Sequence, residues 1–321
     1  VRTLPLIPAS VAVLGLVTVG LAGCSLPGAS ADCVSPATAM PTGLVSVTGD
    51  LGSEPRIEVY TPFSTDETTS SVVIDGEGEP IVTDDQLVVV DATILSGETG
   101  ETLVATSYSG TDAPFQLSQL VASVPAFSDA LRCVGEGSRV VIGLAPDGLE
   151  PETAAAWGLA EGESAVAVID VHKVYLASAT GETVFNTERG LPTIVRAPDG
   201  RPGIIVPDAP APTETTVQVL VRGDGEVVTG DAPVRVHYTG VTWDERTVFD
   251  STWGATPASL TLDGVVTGFA EALEGQTVGS QIMVVITPED GYGDQEQGAI
   301  PANSTLVFVI DILGLDTPVT P

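Results

Sequence analysis

Val236-His237-Tyr238-Thr239-Gly240 opens a series that continues with Phe249-Asp250-Ser251, Gly268-Phe269, Gly291-Tyr292-Gly293, Ile300-Pro301 and Leu306-Val307-Phe308. Aromatic side chains, one carboxylate and glycines recur here on short runs whose apolar residues alternate, the period of a strand with one buried face. No nucleophile, general base or metal cluster stands among them. Such residues line a pocket that binds by shape and apolar contact rather than by covalent chemistry.

Outward from this series the chain is β-rich. Runs such as Leu87-Val88-Val89-Val90, Val140-Val141-Ile142 and Ala165-Val166-Ala167-Val168-Ile169 are punctuated by Gly, Pro and Asp turns, and long helical patterns are absent. Several segments occur twice in the same order. Phe127-Ser128-Asp129-Ala130-Leu131 matches Phe269-Ala270-Glu271-Ala272-Leu273, and Gly137-Ser138 with Val140-Val141-Ile142 and Pro146 matches Gly279-Ser280 with Ile282-Met283-Val284 and Pro288. Ala165–Asp170 matches Leu306–Asp311, and Gly76-Glu77-Gly78 matches Gly223-Asp224-Gly225. The spacing is nearly constant, so the 321 residues read as two copies of one fold.

Eleven Lys and Arg against 43 Asp and Glu give a formal charge of −32. That balance argues against nucleic acid, whose phosphates need a concentrated basic surface. At the N-terminus, Leu4 to Leu21 is apolar, follows Arg2 and ends in Leu21-Ala22-Gly23-Cys24. It resembles a bacterial lipoprotein signal, which implies cleavage before a lipidated Cys24 and an anchor on the outer face of the cell membrane. Cys33 and Cys133 then remain as an even pair in an oxidising compartment, either one disulfide or two separate thiols. The expected organisation is a signal over 1–23 and a mobile tether over 24–49. A first domain over 50–178 and a proline-rich linker or leading strand over 179–212 follow, then a second domain over 213–316 and a tail over 317–321. Pro207-Asp208-Ala209-Pro210-Ala211-Pro212 reads as a stiff extended spacer.

With these motifs in family order, the second copy resembles an FKBP-type peptidyl-prolyl cis-trans isomerase domain from about Thr216 to Leu315. The resemblance implies an α+β fold in which an antiparallel sheet wraps one short helix, here Gly268 to about Leu273. It implies Phe269 as the floor for a proline ring, with Tyr238, Phe249 and Phe308 as walls and Val265 and Val266 extending the apolar surface. Tyr292 takes the place of a hydroxyl donor to a substrate carbonyl, and the backbone N–H of Ile300 or its neighbour that of another donor. Asp250 would orient Tyr238 or the twisting carbonyl. Proline-containing exported proteins and FK506-like macrolides are the implied partners, and no cofactor or metal is implied.

Against the family pattern, Phe269 stands where Trp is common, Ala258 where Phe is common, and no arginine follows Ser251. His237 precedes Tyr238 and should face the other side of its strand. With His172 the only other histidine, neither a His-based triad nor a zinc site is expected. In the first copy, Ala92 aligns with Tyr238, Val104 with Phe249, Ala105 with Asp250, Ala167 with Phe308 and Glu150 with Tyr292, while Phe127 matches Phe269. The first copy is therefore expected to be a degenerate, inactive FKBP-like domain, a spacer or a client-binding surface. A non-catalytic proline-binding module is the alternative reading of the whole.

Overall fold

A computed structural model describes residues 33, 38–41, 43–108, 113–185 and 188–317. The signal-like segment and Cys24 lie outside the described residues.

The first half contains β1 (Thr38–Ala39), β2 (Val45–Thr48), β3 (Arg56–Val59), β4 (Thr69–Ile74), β5 (Leu87–Ser96), β6 (Thr102–Ala105) and β7 (Phe115–Gln116). Helices α1 (Leu117–Ser123) and α2 (Ala126–Leu131) follow, then β8 (Arg139–Leu144), α3 (Pro151–Trp157) and β9 (Ala165–Val174). The second half runs β10 (Glu182–Thr183), β11 (Thr193–Arg196), β12 (Pro202–Ile205), β13 (Thr216–Arg222), β14 (Val234–Thr242), β15 (Val248–Ser251) and β16 (Ala258–Leu260). It ends with α4 (Thr267–Leu273), β17 (Gln281–Ile286) and β18 (Leu306–Leu315).

Both halves use one strand order. The first sheet is β1-β4-β8-β9-β5-β6 with β7 on β5, and the second is β10-β13-β17-β18-β14-β15 with β16 on β14. The central strands β8, β9, β17 and β18 are buried on both faces, which explains why they read as continuous Val/Ile runs rather than alternating ones. In the second half Val234, Val236, Ile282, Val284, Ile310 and Ile312 face α4, whose Phe269, Ala272 and Leu273 close that core. The opposite face, with Val241, Trp243, Met283, Val285, Val307 and Val309, takes Leu191, Ile194 and Ile204 from the β11–β12 hairpin. The first sheet repeats this plan: Leu95, Val141, Val166 and Val168 are covered by Val45, Val47, Ile57 and Val59 of the β2–β3 hairpin.

The packing on the backs of the two sheets corrects two expectations. The described part of the supposed tether is packed: Met40 is buried, and Val45–Thr48 pairs with Arg56–Val59. The proline-rich spacer likewise lies on the second sheet, where Trp243 Nε1 donates to the Ala209 carbonyl at 3.0 Å and Ala211 joins the apolar cluster. Composition misled because the partners that cover these segments lie far away in sequence. A buried polar node holds each hairpin down. Arg139 pairs with Asp170 (Nη2 to Oδ2, 2.6 Å) and donates to the carbonyls of Gly49, Asp50 and Ser53 in the β2–β3 turn. In the second half Gln281 donates to Asp311, while Arg196 of β11 donates to Gln281.

Cys33 and Cys133 are joined by a disulfide, with Cα atoms 5.4 Å apart. The halves are also tied to each other. Leu176 N–H donates to the Leu313 carbonyl at 3.0 Å, Tyr175 Oη to Asp316 at 2.7 Å, and Ala179 N–H to Asp311 at 2.8 Å. Residues 31–321 form one compact unit.

Candidate active site

β14, β15, β18 and α4 bring the aromatic residues of the second half together. Phe308 projects from β18 toward α4, with its ring centroid 5.1 Å from Phe269, 5.4 Å from Phe249 and 6.0 Å from Tyr238, every pair edge to face. Tyr238 meets Phe269 in the same way at 6.0 Å. Edge-to-face rings hold one another at fixed angles and leave ring faces free for an apolar guest. Phe269 is 4% exposed and forms the floor, Phe308 is 6% exposed, and Tyr238 and Phe249 are half-buried walls.

Glycine makes this packing fit. A Cβ at Gly240 would stand 2.5 Å from Phe249 Cζ and 2.8 Å from Phe308 Cε1. At Gly268, a Cβ would come within 2.7 Å of Ile286 Cγ2, so glycine there lets the start of α4 approach β17.

The Tyr238 hydroxyl donates to the exposed carboxylate of Asp250. Burial, followed by the Asp250 hydrogen bond and charge and by nearby Tyr292, pushes the Tyr238 phenol above its ordinary range. Tyr238 therefore stays a neutral donor at physiological pH. The strand pair beneath is clamped by Thr252, whose Oγ1 accepts the Tyr238 N–H at 2.9 Å and whose N–H donates to the Tyr238 carbonyl at 3.1 Å. His237 faces away from the pocket, stacks on Trp253 at 4.6 Å and contacts Thr252 Oγ1 through Nδ1 at 3.0 Å. Burial lowers its pKa to about 4, so it is neutral at physiological pH.

Val265 and Val266 lie half-buried against the same cluster on the approach to α4. Tyr292 also packs on it, and its hydroxyl has no hydrogen-bond partner among the described residues. Ile300 is buried, but its N–H already donates to the Gln297 carbonyl at 2.9 Å, and its carbonyl accepts the Gln297 N–H at 2.9 Å. The expected donor role of Ile300 is corrected on that ground: the N–H is consumed within a turn, and Ile300 contributes an apolar side chain. A backbone donor left without a partner among the described residues beside the box is Val266 N–H, in the residue that precedes α4. Sequence reading placed Val266 only as apolar surface. The signal that could have found it is its position as the residue before a helix, with an extended backbone at φ −65° and ψ 151°. Among the described residues no group of three or more His, Cys, Asp or Glu is placed to hold a metal ion.

The model of the FKBP-type peptidyl-prolyl cis-trans isomerase family matches residues 223–313, the stretch that carries all of these groups. A probable FK506-binding protein of Corynebacterium glutamicum is 33% identical over 114 residues, which is 35% of this chain and 97% of that protein. The chain belongs to the FKBP family. A probable isomerase of this type from Haemophilus influenzae is 38% identical over 95 residues, 29% of this chain and 39% of that protein. The crystal structure of FkpA from Escherichia coli matches with a TM-score of 0.31 at 31% identity, covering 41% of this chain and 54% of that one. The match thus spans nearly all of the corynebacterial relative but well under two thirds of the others.

The first half shares the strand order of the second but not the box. Thr106 repeats the Thr252 clamp, its N–H donating to the Ala92 carbonyl and its Oγ1 accepting the Ala92 N–H. Counted from that clamp and the β5–β6 register, Leu103 lies opposite Phe249 and Val104 opposite Asp250. This corrects the alignment of Val104 with Phe249 and Ala105 with Asp250 by one residue. The slip arose because the repeat spacing differs between this hairpin and the helix, a loop-length effect that sequence identity does not mark. The site positions read Ala92, Leu103, Val104 and Ala167 around Phe127, with Phe115, Leu120 and Val121 packed on the same core.

Proposed function

We propose that this chain is a lipid-anchored prolyl isomerase that assists the folding of exported proteins, with the second half catalytic and the first a degenerate, non-catalytic FKBP-like domain. One observation carries the catalytic assignment: the box of Phe269, Phe308, Phe249 and Tyr238, with Tyr238 bonded to Asp250.

An X-Pro bond isomerises slowly because rotation destroys amide resonance, a barrier of about 18–20 kcal/mol. No covalent step is needed to lower it. The proline ring would sit against Phe269 between the aromatic walls, where little water competes. A twisted amide is less charge-separated than a planar one, so an apolar box binds it better than either ground state. Val266 N–H and the Tyr292 hydroxyl are the donors available for flanking carbonyls, and the same surfaces suit an FK506-like macrolide. In the first half, Ala92 and Ala167 offer no ring and Val104 no carboxylate, which supports an inactive copy.

Lipidation at Cys24 follows from Leu21-Ala22-Gly23-Cys24. Eight residues lie between Cys24 and Cys33, which is bonded to Cys133, so a lipidated chain would hold the first half within about 30 Å of the membrane. Labelled palmitate should enter the wild type and not Cys24→Ser; equal labelling removes the anchor from this reading.

The deciding experiment is a proline-limited refolding assay, or a protease-coupled peptide assay, on the chain with and without Phe269→Ala. Catalysis that falls at least about ten-fold in the variant supports the assignment. Ala258 on β16, which thins one wall, favours a second reading as a proline-peptide binder. That reading prevails if a peptide binds while its exchange stays at the uncatalysed rate.

A further inference from the structure

The loop that closes the pocket in the second half has a different fate in the first. β17 and β18 are joined by the segment that carries Tyr292 and Ile300; the equivalent strands β8 and β9 are joined by a segment that folds as α3. α3 is Pro151-Glu152-Thr153-Ala154-Ala155-Ala156-Trp157, and none of its residues is fully buried, although four of the seven are Ala or Trp. Ala154 and Trp157 pack half-buried against the core of the first half, and beside the helix lies a cavity of about 440 Å³. The floor is Leu149 and Leu159, both buried, and the walls include Pro146, Pro151, Ala154 and Ala155. The rim is Asp147, Glu161 and Glu163. Glu163 is held in place by Ser96 Oγ at 2.5 Å and the Ala160 N–H at 2.9 Å. Asp147 and Glu161 form no ion pair or hydrogen bond among the described residues, and no Lys, Arg or His lines the cavity.

We infer that this groove binds a stretch of unfolded polypeptide that is apolar at its centre, flanked by Lys or Arg, and independent of proline. The inference rests on the reading of the first half as a non-catalytic partner to the isomerase, and gives that half a binding role of its own. The small alanine side chains that line the cavity make room for large apolar residues. Uncompensated carboxylates at the edge select positive flanks and reject negative ones. A basic apolar segment held here would be retained near the box while its prolines turn over, raising their effective concentration.

The test uses the full chain and a fluorescein-labelled peptide, Lys-Lys-Leu-Ala-Leu-Leu-Ala-Lys-Lys, with its Glu-flanked counterpart, read by fluorescence anisotropy. The Lys peptide should bind, weaken as salt rises from about 50 to about 500 mM, and exceed the Glu peptide by about ten-fold in affinity. Ala155→Trp, at an exposed helix position, should fill the groove and cost about ten-fold. Glu161→Lys should weaken the Lys peptide and strengthen the Glu peptide, a reversal that general unfolding does not produce. Phe269→Ala should leave peptide affinity unchanged, and Ala155→Trp should leave isomerisation of a short proline peptide unchanged. No binding of the Lys peptide at about 100 μM, or affinity unaltered by Ala155→Trp or by Glu161→Lys, overturns the inference. Loss of binding in Phe269→Ala also overturns it, by assigning the peptide to the aromatic box. Absence of isomerase activity would instead sink the proposed catalytic function and leave the groove standing.

Discussion

Adding a single carbon at Gly240 forces Phe249 and Phe308 out of their edge-to-face arrangement, because both rings stand closer to that position than two carbons can approach. Gly240→Ala should therefore destabilise the fold by about 1–3 kcal/mol and lower prolyl isomerisation at least ten-fold. Denaturant unfolding and the refolding assay check the two effects. Tyr238→Phe makes the opposite division. It keeps the ring and removes the hydroxyl that donates to exposed Asp250, so stability should change by no more than about 1 kcal/mol while activity falls several-fold. A variant as active as the wild type would remove the Tyr238–Asp250 pair from the mechanism. The main site residue misjudged from sequence was Ile300, whose N–H belongs to a turn with Gln297. Motif order places a residue in a pocket; it does not say which backbone groups a local turn has already used.

Secondary elements divide into those that shape the box and those that brace it. The Thr252 clamp on Tyr238 recurs as Thr106 on Ala92, where no aromatic box remains, so the clamp belongs to the hairpin fold rather than to catalysis. The hairpins β2–β3 and β11–β12 play the same bracing part on the back of each sheet. Arg139→Met would leave Asp170 buried without its cation and free the carbonyls of Gly49, Asp50 and Ser53. That change should cost about 3–5 kcal/mol and detach the β2–β3 hairpin, seen as faster amide exchange over residues 45–59. Removing the Cys33–Cys133 bond by Cys133→Ala should cost about 2–5 kcal/mol, because the bridge closes a separation of 100 residues. Thermal melts of the variant against the oxidised wild type report it. The cysteine pair was legible as one bridge or two thiols, and the structure selects the bridge; the Arg139 node left no signal, because it joins segments with no shared motif.

At the scale of the whole molecule, two buried groups set opposing pH dependences. His237 is lowered to about 4 by burial, so the unfolded chain binds its proton more readily and stability falls as pH drops from about 6.5 toward 4. Asp311 is raised to about 6, chiefly by burial and only partly offset by the Ala179 N–H, Gln281 and Arg196. The folded chain therefore holds that proton more tightly, and stability falls as pH rises from about 3.8 through 6. The two effects oppose each other between about pH 4 and 6. Relative to wild type, His237→Gln should lose stability with rising pH across that window, whereas Asp311→Asn should gain it. Denaturant midpoints at closely spaced pH values decide the signs, and parallel curves for all three proteins would show that neither group titrates as its burial demands. Asp311 also anchors Ala179 between the halves, so Asp311→Asn tests the junction as well as the charge.

The order of the motifs by itself determined the family and the residues of the aromatic box and raised the expectation of two copies, because strand period and repeat spacing are local properties of the chain. Tertiary structure alone decided that the described part of the supposed tether and the proline-rich spacer are packed onto the sheets and that Cys33 meets Cys133. It also decided that Leu103, not Val104, occupies the place of Phe249, and that the first half carries a groove where the second has a pocket rim. The physical reason is the same in each case. These outcomes depend on loop lengths and on which distant surfaces remain uncovered once the sheets form, and neither leaves a mark on local composition.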